Sequence, residues 1–175
     1  MESASQVRKR LEEGQERLFL LLSGVTEEQF KRRPPPSADD AAPWSIAEIV
    51  AHILSTERLW AARIADALAN DGAEITPSPP EAHEDGARTG RQVPVPQLIH
   101  GLLGSRRQVD KLLEAATERD DSLKHNSLRH PRLGQTLDLA WMFAKIADHT
   151  IEHAGQVEAA RQAAGARPFA GSAQP

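Results

Sequence analysis

Apolar residues recur every three to four positions through four long stretches of this 175-residue chain, and a connection rich in proline, glycine and polar residues separates the second stretch from the third. That period is one face of an α-helix, whereas a half-buried strand alternates every second residue. The first stretch, 5–25, lines up Val7, Leu11, Leu18, Leu22 and Val25, and VTEEQFKRR adds a turn or two before Pro34, Pro35 and Pro36 stop it. The second opens on a capping box, Ser45 with Glu48 three residues on, and carries Ile46, Ile49, Val50, Ile53, Trp60, Ile64 and Leu68 to about Asn70. The third, 96–118, aligns Leu98, Leu102, Val109, Leu113 and Ala116. The fourth is read as starting at Thr136, taken as N-cap with Asp138 in the first turn, and as ending at Ala164 before Gly165 and Pro168.

The expected fold is therefore all-α: a four-helix bundle with a long crossover between helices two and three. A crossover through 72–96 lets those two helices run parallel. One domain, 1–165, is expected, followed by a tail at 166–175. Aromatic residues make up only 4% of the chain, so the core must be mostly aliphatic. Trp60 and Trp141 can serve that core or an interface, and the core is the expected place for both.

Composition narrows the chemistry. The chain has no cysteine, which removes disulfides, thiolate metal sites and a cysteine nucleophile. A net charge of −4 offers no basic field for a phosphate backbone, so no nucleic-acid partner is expected. The clusters KRR (31–33) and GSRR (104–107) read as solvated helix faces. No apolar run approaches the ~18–20 residues that span a bilayer, and MESASQVRKR lacks the apolar core of a secretory signal. The expectation is a cytoplasmic protein with no membrane partner.

On the fourth helix the positions 139, 142, 146, 149, 153, 156 and 160 step by three and four. They hold Leu139, Met142, Ile146, His149, His153, Gln156 and Ala160. The two histidines thus continue the apolar seam, where an imidazole without a partner is costly. Side chains at i and i+4 point the same way, so both rings can reach one divalent metal ion. Two ligands make a weak site. His52, on the flank of the second helix's stripe, can supply a third, although alone it would read as an ordinary core histidine. Three neutral imidazoles leave coordination positions open, which suits Lewis-acid chemistry. Thr56 and Gln156, one turn from ligands, can orient a reacting group. Arg106 lies near the apolar face of the third helix. It either holds an anion at the bundle mouth or covers apolar surface with its stem while its head reaches water, and the second reading is the expected one. His149-Thr150-Ile151-Glu152-His153 also matches the H-x-x-E-H protease pattern, but Glu152 lies off the metal-facing side and no protease is expected.

Three segments, PWSIAEIVAHILSTERLW (43–60), HPRLGQTLDLAWMFAKIADHTIEHAGQV (130–157) and LFLLLSGVTEEQF (18–30), resemble the DinB/YfiT-like superfamily of metal-binding four-helix bundles. The resemblance implies that His52, His149 and His153 bind one metal, nickel or zinc. It also implies a homodimer and a small-molecule substrate. The activity it implies is metal-dependent S-transfer with a low-molecular-weight thiol such as bacillithiol or mycothiol. The alternatives are a metal-dependent hydrolase, or a metal-binding stress-response module without turnover.

Overall fold

The computed structural model describes residues 3–38, 40–75, 82–118, 123, 126–131 and 134–167, with the backbone alone at 82–84. Among them are six helices, α1 (Ala4–Leu22), α2 (Glu27–Lys31), α3 (Ile46–Ala69), α4 (Ala82–Gln92), α5 (Val95–Thr117) and α6 (Leu139–Ala163). Three short strands, β1 (Ala73–Glu74), β2 (Ser127–Arg129) and β3 (Thr136–Asp138), complete the elements. Residues 168–175, which hold most of the expected tail, lie outside the described residues, as do His125 and the side chain of His83.

The long helices α1, α3, α5 and α6 form the bundle, and cross-helix contacts give their directions. Arg10 meets Asp148 and Arg17 meets Glu158, so α1 and α6 run the same way. A Cβ at Gly101 would touch Leu54, and Arg106 faces Glu57, so α3 and α5 are also parallel. Trp60 packs edge-on to Trp141 while His52 meets His149, so α3 and α6 are antiparallel. The crossover thus does what its length predicts.

Helix starts follow local chemistry. Ser3, Thr26 and Ser45 each cap a helix and close a full capping box, with Gln6, Gln29 and Glu48. The last helix departs from expectation. Thr136 belongs to β3, and the N-cap of α6 is Asp138, whose side chain accepts from the amide of Trp141. The strands form one small sheet in the order β1-β2-β3, parallel between β1 and β2 and antiparallel between β2 and β3. It pins the segment after α3 to the hairpin before α6.

The crossover is not featureless. It contains α4, which lies on α3 at unusually close range. A Cβ at Gly90 would fall 2.3 Å from the carbonyl oxygen of Ala47, and one at Gly86 would fall 3.0 Å from Cβ of Ser55. The spacing Gly86-Ala87-Arg88-Thr89-Gly90 puts both glycines on the face toward α3. The KRR cluster, expected in solvent, holds this helix in place. Lys31 Nζ donates to the carbonyls of Gly90 and Val93, each at 2.6 Å, which caps the C-terminal end of α4. Arg33 and Arg91 both reach Glu48, a fully buried carboxylate at the start of α3. Trp141 is a further correction. It is 44% exposed and only its partner Trp60 is buried, because position 141 falls on the outer side of the first turn of α6.

Two aliphatic clusters fill the interior. One gathers Val7, Leu11, Ile64, Val109, Leu113, Phe143 and Ile146, and the other Leu18, Ile49, Ile53, Leu98, Leu102 and Val157. Between them the buried residues turn polar. Gly90→Ala is expected to destabilise the fold by about 1–3 kcal/mol or more, because rigid backbone of α3 occupies the added methyl's position. Gly104→Ala, mid-helix with open space around it, is expected to stabilise by roughly 0.5–1 kcal/mol. Denaturant midpoints for the two variants check both signs.

Candidate metal centre

The polar layer begins with three imidazoles. His52 reaches in from α3, and His149 and His153 from consecutive turns of α6. Nε2 of His149 lies 3.1 Å from Nε2 of His52 and 3.1 Å from Nε2 of His153. One nitrogen from each ring falls within 4.8 Å of the other two. Ring centroids are separated by 4.3–4.9 Å, with planes tilted 47–73°. The rings therefore aim their nitrogens at a common point instead of stacking. His52 and His153 are only 5% and 8% exposed, and His149 is half-buried.

Neighbours hold two of the rings in place. Oε1 of Gln156 lies 2.8 Å from Nδ1 of His153. An ion bound at Nε2 would leave the proton on Nδ1, where this amide oxygen is placed to accept it. Trp44 packs against His52 at 5.1 Å between centroids. Behind His52, Gly86 of α4 closes over the helix, where an added Cβ would come within 3.5 Å of the His52 Cα.

The donor set fits a divalent metal of borderline softness: three imidazole nitrogens, one backed by an amide oxygen on the far side of its ring, and no thiolate. A cavity of about 620 Å³ opens beside the cluster. His153 and Gln156 line it together with Ile49, Trp44, Pro34 and Asp40. Its volume suits a small organic molecule.

The remaining candidates fall in different places. Gln156 touches His153, as described. Thr56 is buried on α3 one turn beyond His52. Arg106 corrects both readings made of it, since it neither lines the cavity nor sends its head into water. It is 3% exposed, with Nε 2.7 Å from Oε2 of Glu57 and Nη2 donating to Oγ1 of Thr150 at 2.5 Å. Glu57 is 2% exposed, and burial pushes its carboxyl up while the Arg106 charge opposes that rise. Glu152 of the H-x-x-E-H pattern is exposed and outside the cluster. His100 is exposed, and His130 sits in the turn between β2 and β3.

The DinB superfamily model matches residues 10–157. The chain belongs to the DinB superfamily. No curated protein matches it by sequence. Among solved structures it is similar to YfiT from Bacillus subtilis, described as a probable metal-dependent hydrolase with an unusual four-helix bundle topology. That likeness has 18% identity, a TM-score of 0.74, and covers 95% of this chain and 92% of that one. An uncharacterised protein from Escherichia coli UTI89 aligns with a TM-score of 0.72 at 11% identity, over 96% and 98% of the two chains. A mycothiol-dependent maleylpyruvate isomerase aligns with a TM-score of 0.61 at 16% identity, over 90% of this chain and 63% of that one. At these identities the likeness shows a shared fold. No helix among the described residues is long and apolar enough to cross a membrane.

Arg106→Met removes the partner of a buried carboxylate and should cost about 3–5 kcal/mol of stability, read from denaturant unfolding. For Glu48, burial would raise the carboxyl, but hydrogen bonds from Arg33 and Ser45 outweigh it and hold the pKa below the ordinary 4.5. A depressed carboxyl contributes stability that is complete above 4.5 and is lost as pH falls through its lowered value. Unfolding measured between neutral pH and acid should show that loss, and Glu48→Gln should flatten it.

Proposed function

We propose that this chain is a metal-dependent enzyme whose His52, His149 and His153 hold one divalent ion, nickel or zinc, beside a pocket for a small organic substrate. The observation that carries the reading is the convergence of three Nε2 atoms from two helices on one point. A divalent ion held there supplies Lewis acidity, which acidifies a coordinated thiol or water. The chain's own residues do the rest. Gln156 keeps the Nδ1 proton on His153, so that Nε2 stays available. Trp44, Ile49 and Pro34 give the cavity an apolar wall that takes up a substrate body and displaces water from it. Thr56 and Gln156 are the polar groups offered for orientation.

Within that reading, the reaction proposed is S-transfer: a low-molecular-weight thiol loses its S–H proton to solvent and its sulfur bonds to an electrophilic carbon in the pocket, displacing a leaving group such as halide or opening a double bond that then takes up a proton. The chain contributes no cysteine, so the sulfur must come from a cosubstrate. Hydrolysis is the second reading, and the full-length fold likeness to YfiT, named a probable metal-dependent hydrolase, favours it. A pocket of about 620 Å³ beside the imidazoles speaks for turnover over a closed metal-binding module. The working unit is proposed to be one domain, 1–165, acting in the cytoplasm as a homodimer.

Elemental analysis of the purified protein should find about one divalent ion per chain, and His52→Ala, His149→Ala and His153→Ala should each strip it. Gln156→Leu should keep the site but weaken it by about 10–100-fold in a chelator competition. Full metal retention in all three alanine variants would sink the assignment. Incubating metal-loaded protein with monochlorobimane and a small thiol, and separately with a nitrophenyl ester and no thiol, separates the two reactions. Bimane conjugation above the uncatalysed rate supports S-transfer, and ester cleavage alone supports hydrolysis.

A further inference from the structure

We infer that Arg106 is a positioning residue for the three-histidine centre, fixing the ligand-bearing helices α3 and α6 against each other through Glu57 and Thr150. The inference rests on the metal-site reading above. Its starting point is a charged residue on the apolar seam of α5, in line with Leu102, Val109 and Leu113. Arg106 comes from α5, which supplies none of the three histidines. Its guanidinium is 3% exposed and enters the polar layer between the two aliphatic clusters. There it meets one residue from each ligand helix: Glu57, five positions after His52, and Thr150, directly after His149.

A buried ion pair needs a reason. Replacing such a pair with apolar residues of similar volume is often neutral or stabilising, so stability alone does not account for it. Geometry supplies a reason. A guanidinium is a rigid fork, so an ion pair at Nε with one helix and a hydrogen bond from Nη2 to another together constrain how far apart the two helices sit. Thr150 is constrained on its other sides. Its hydroxyl donates to the carbonyl of Ile146 at 3.0 Å, leaving a lone pair for Arg106. Gly14 of α1 lies alongside its methyl, close enough that an added Cβ would stand 3.6 Å from Cγ2 of Thr150 and 3.2 Å from Cγ1 of Ile151. The segment of α6 that begins at His149 thus lies between α1 and Arg106. Three imidazoles can share one ion only if α3 and α6 keep their spacing and phase, and a rotation of α6 would swing His149 and His153 together away from His52.

The test uses two variants of the full chain. Glu57→Leu with Arg106→Met removes both charges and keeps the volume. Thr150→Val deletes only the hydroxyl that Arg106 binds, in a near-isosteric side chain. Metal affinity is read by chelator competition with Zn2+, site geometry by the visible absorption of the Co2+-loaded protein, and folding by thermal melts. The expected result is a folded double variant with a melting temperature at or above that of the wild type. Its zinc dissociation constant should rise about 10–100-fold and its cobalt spectrum should change, with Thr150→Val shifting the same way by a smaller factor. A merely structural pair would move the melting temperature and leave the metal readouts alone. If the double variant does not fold, Thr150→Val decides. Wild-type affinity and an unchanged cobalt spectrum in the folded variants overturn the inference and leave the metal reading standing. A wild-type protein that takes up neither Zn2+ nor Co2+ removes the metal reading and this inference with it.

Discussion

The structure turns on the cost of placing polar groups at mid-height inside an aliphatic bundle. Hydroxyl, imidazole, carboxylate and guanidinium groups each lose hydration there, and each must be compensated locally. The layer between the two apolar clusters contains all four kinds, in Thr150, His52, Glu57 and Arg106, every one of them buried. A bundle with leucine at these positions would pack more simply. The polar layer is tolerated because its members are arranged in sets, three imidazoles around one point on one side and a guanidinium between two helices on the other.

The layer also explains why α3 is the most heavily supported element. Its N-terminal half carries His52, and that half is capped by Ser45, buried at Glu48 and overlain by α4. Glu48 serves three partners at once: the Ser45 cap, Arg33 from the segment after α2, and Arg91 from α4. A single carboxylate thus joins the helix start to two connections that would otherwise have little reason to lie near the site. On the other histidine-bearing helix, Arg161 of the last turn donates to the carbonyls of Leu21 and Ser23, tying the end of α6 to the end of α1. The start of α3 and the middle of α6 meet at the imidazoles, and both helices are held by side-chain bonds near an end.

Much of this could be read from the chain before any coordinates. His149 and His153 stand on an unbroken three-four seam, so their inward direction follows from helix geometry alone. The Ser45–Glu48 capping box marks a helix start within a residue, and the length of the 72–96 connection lets the helices on either side run parallel. What escaped has identifiable causes. The helix α4 contains two glycines, which lower intrinsic helix propensity. Its stability comes from a close approach to α3 that only the partner's surface reveals, although the four-residue glycine spacing in GARTG was a visible hint. Strands of two or three residues are too short to display a period of two, so Thr136 read as a cap when its backbone in fact pairs with Arg129. The fate of Arg106 was hidden for a different reason. Periodicity places a side chain on a face but does not reveal a counter-charge such as Glu57 on another helix.

The two nearest imidazole nitrogens from different helices belong to residues 97 positions apart. Closing a loop of that size is entropically slow, and the contact has no local precursor to shorten the search. One helix supplies two of the three nitrogens and a helix far away in sequence supplies the third, so the cluster exists only once α3 and α6 have packed together. Capture of an ion by this trio would therefore report that the two helices have docked, since neither helix alone offers more than two of the three nitrogens.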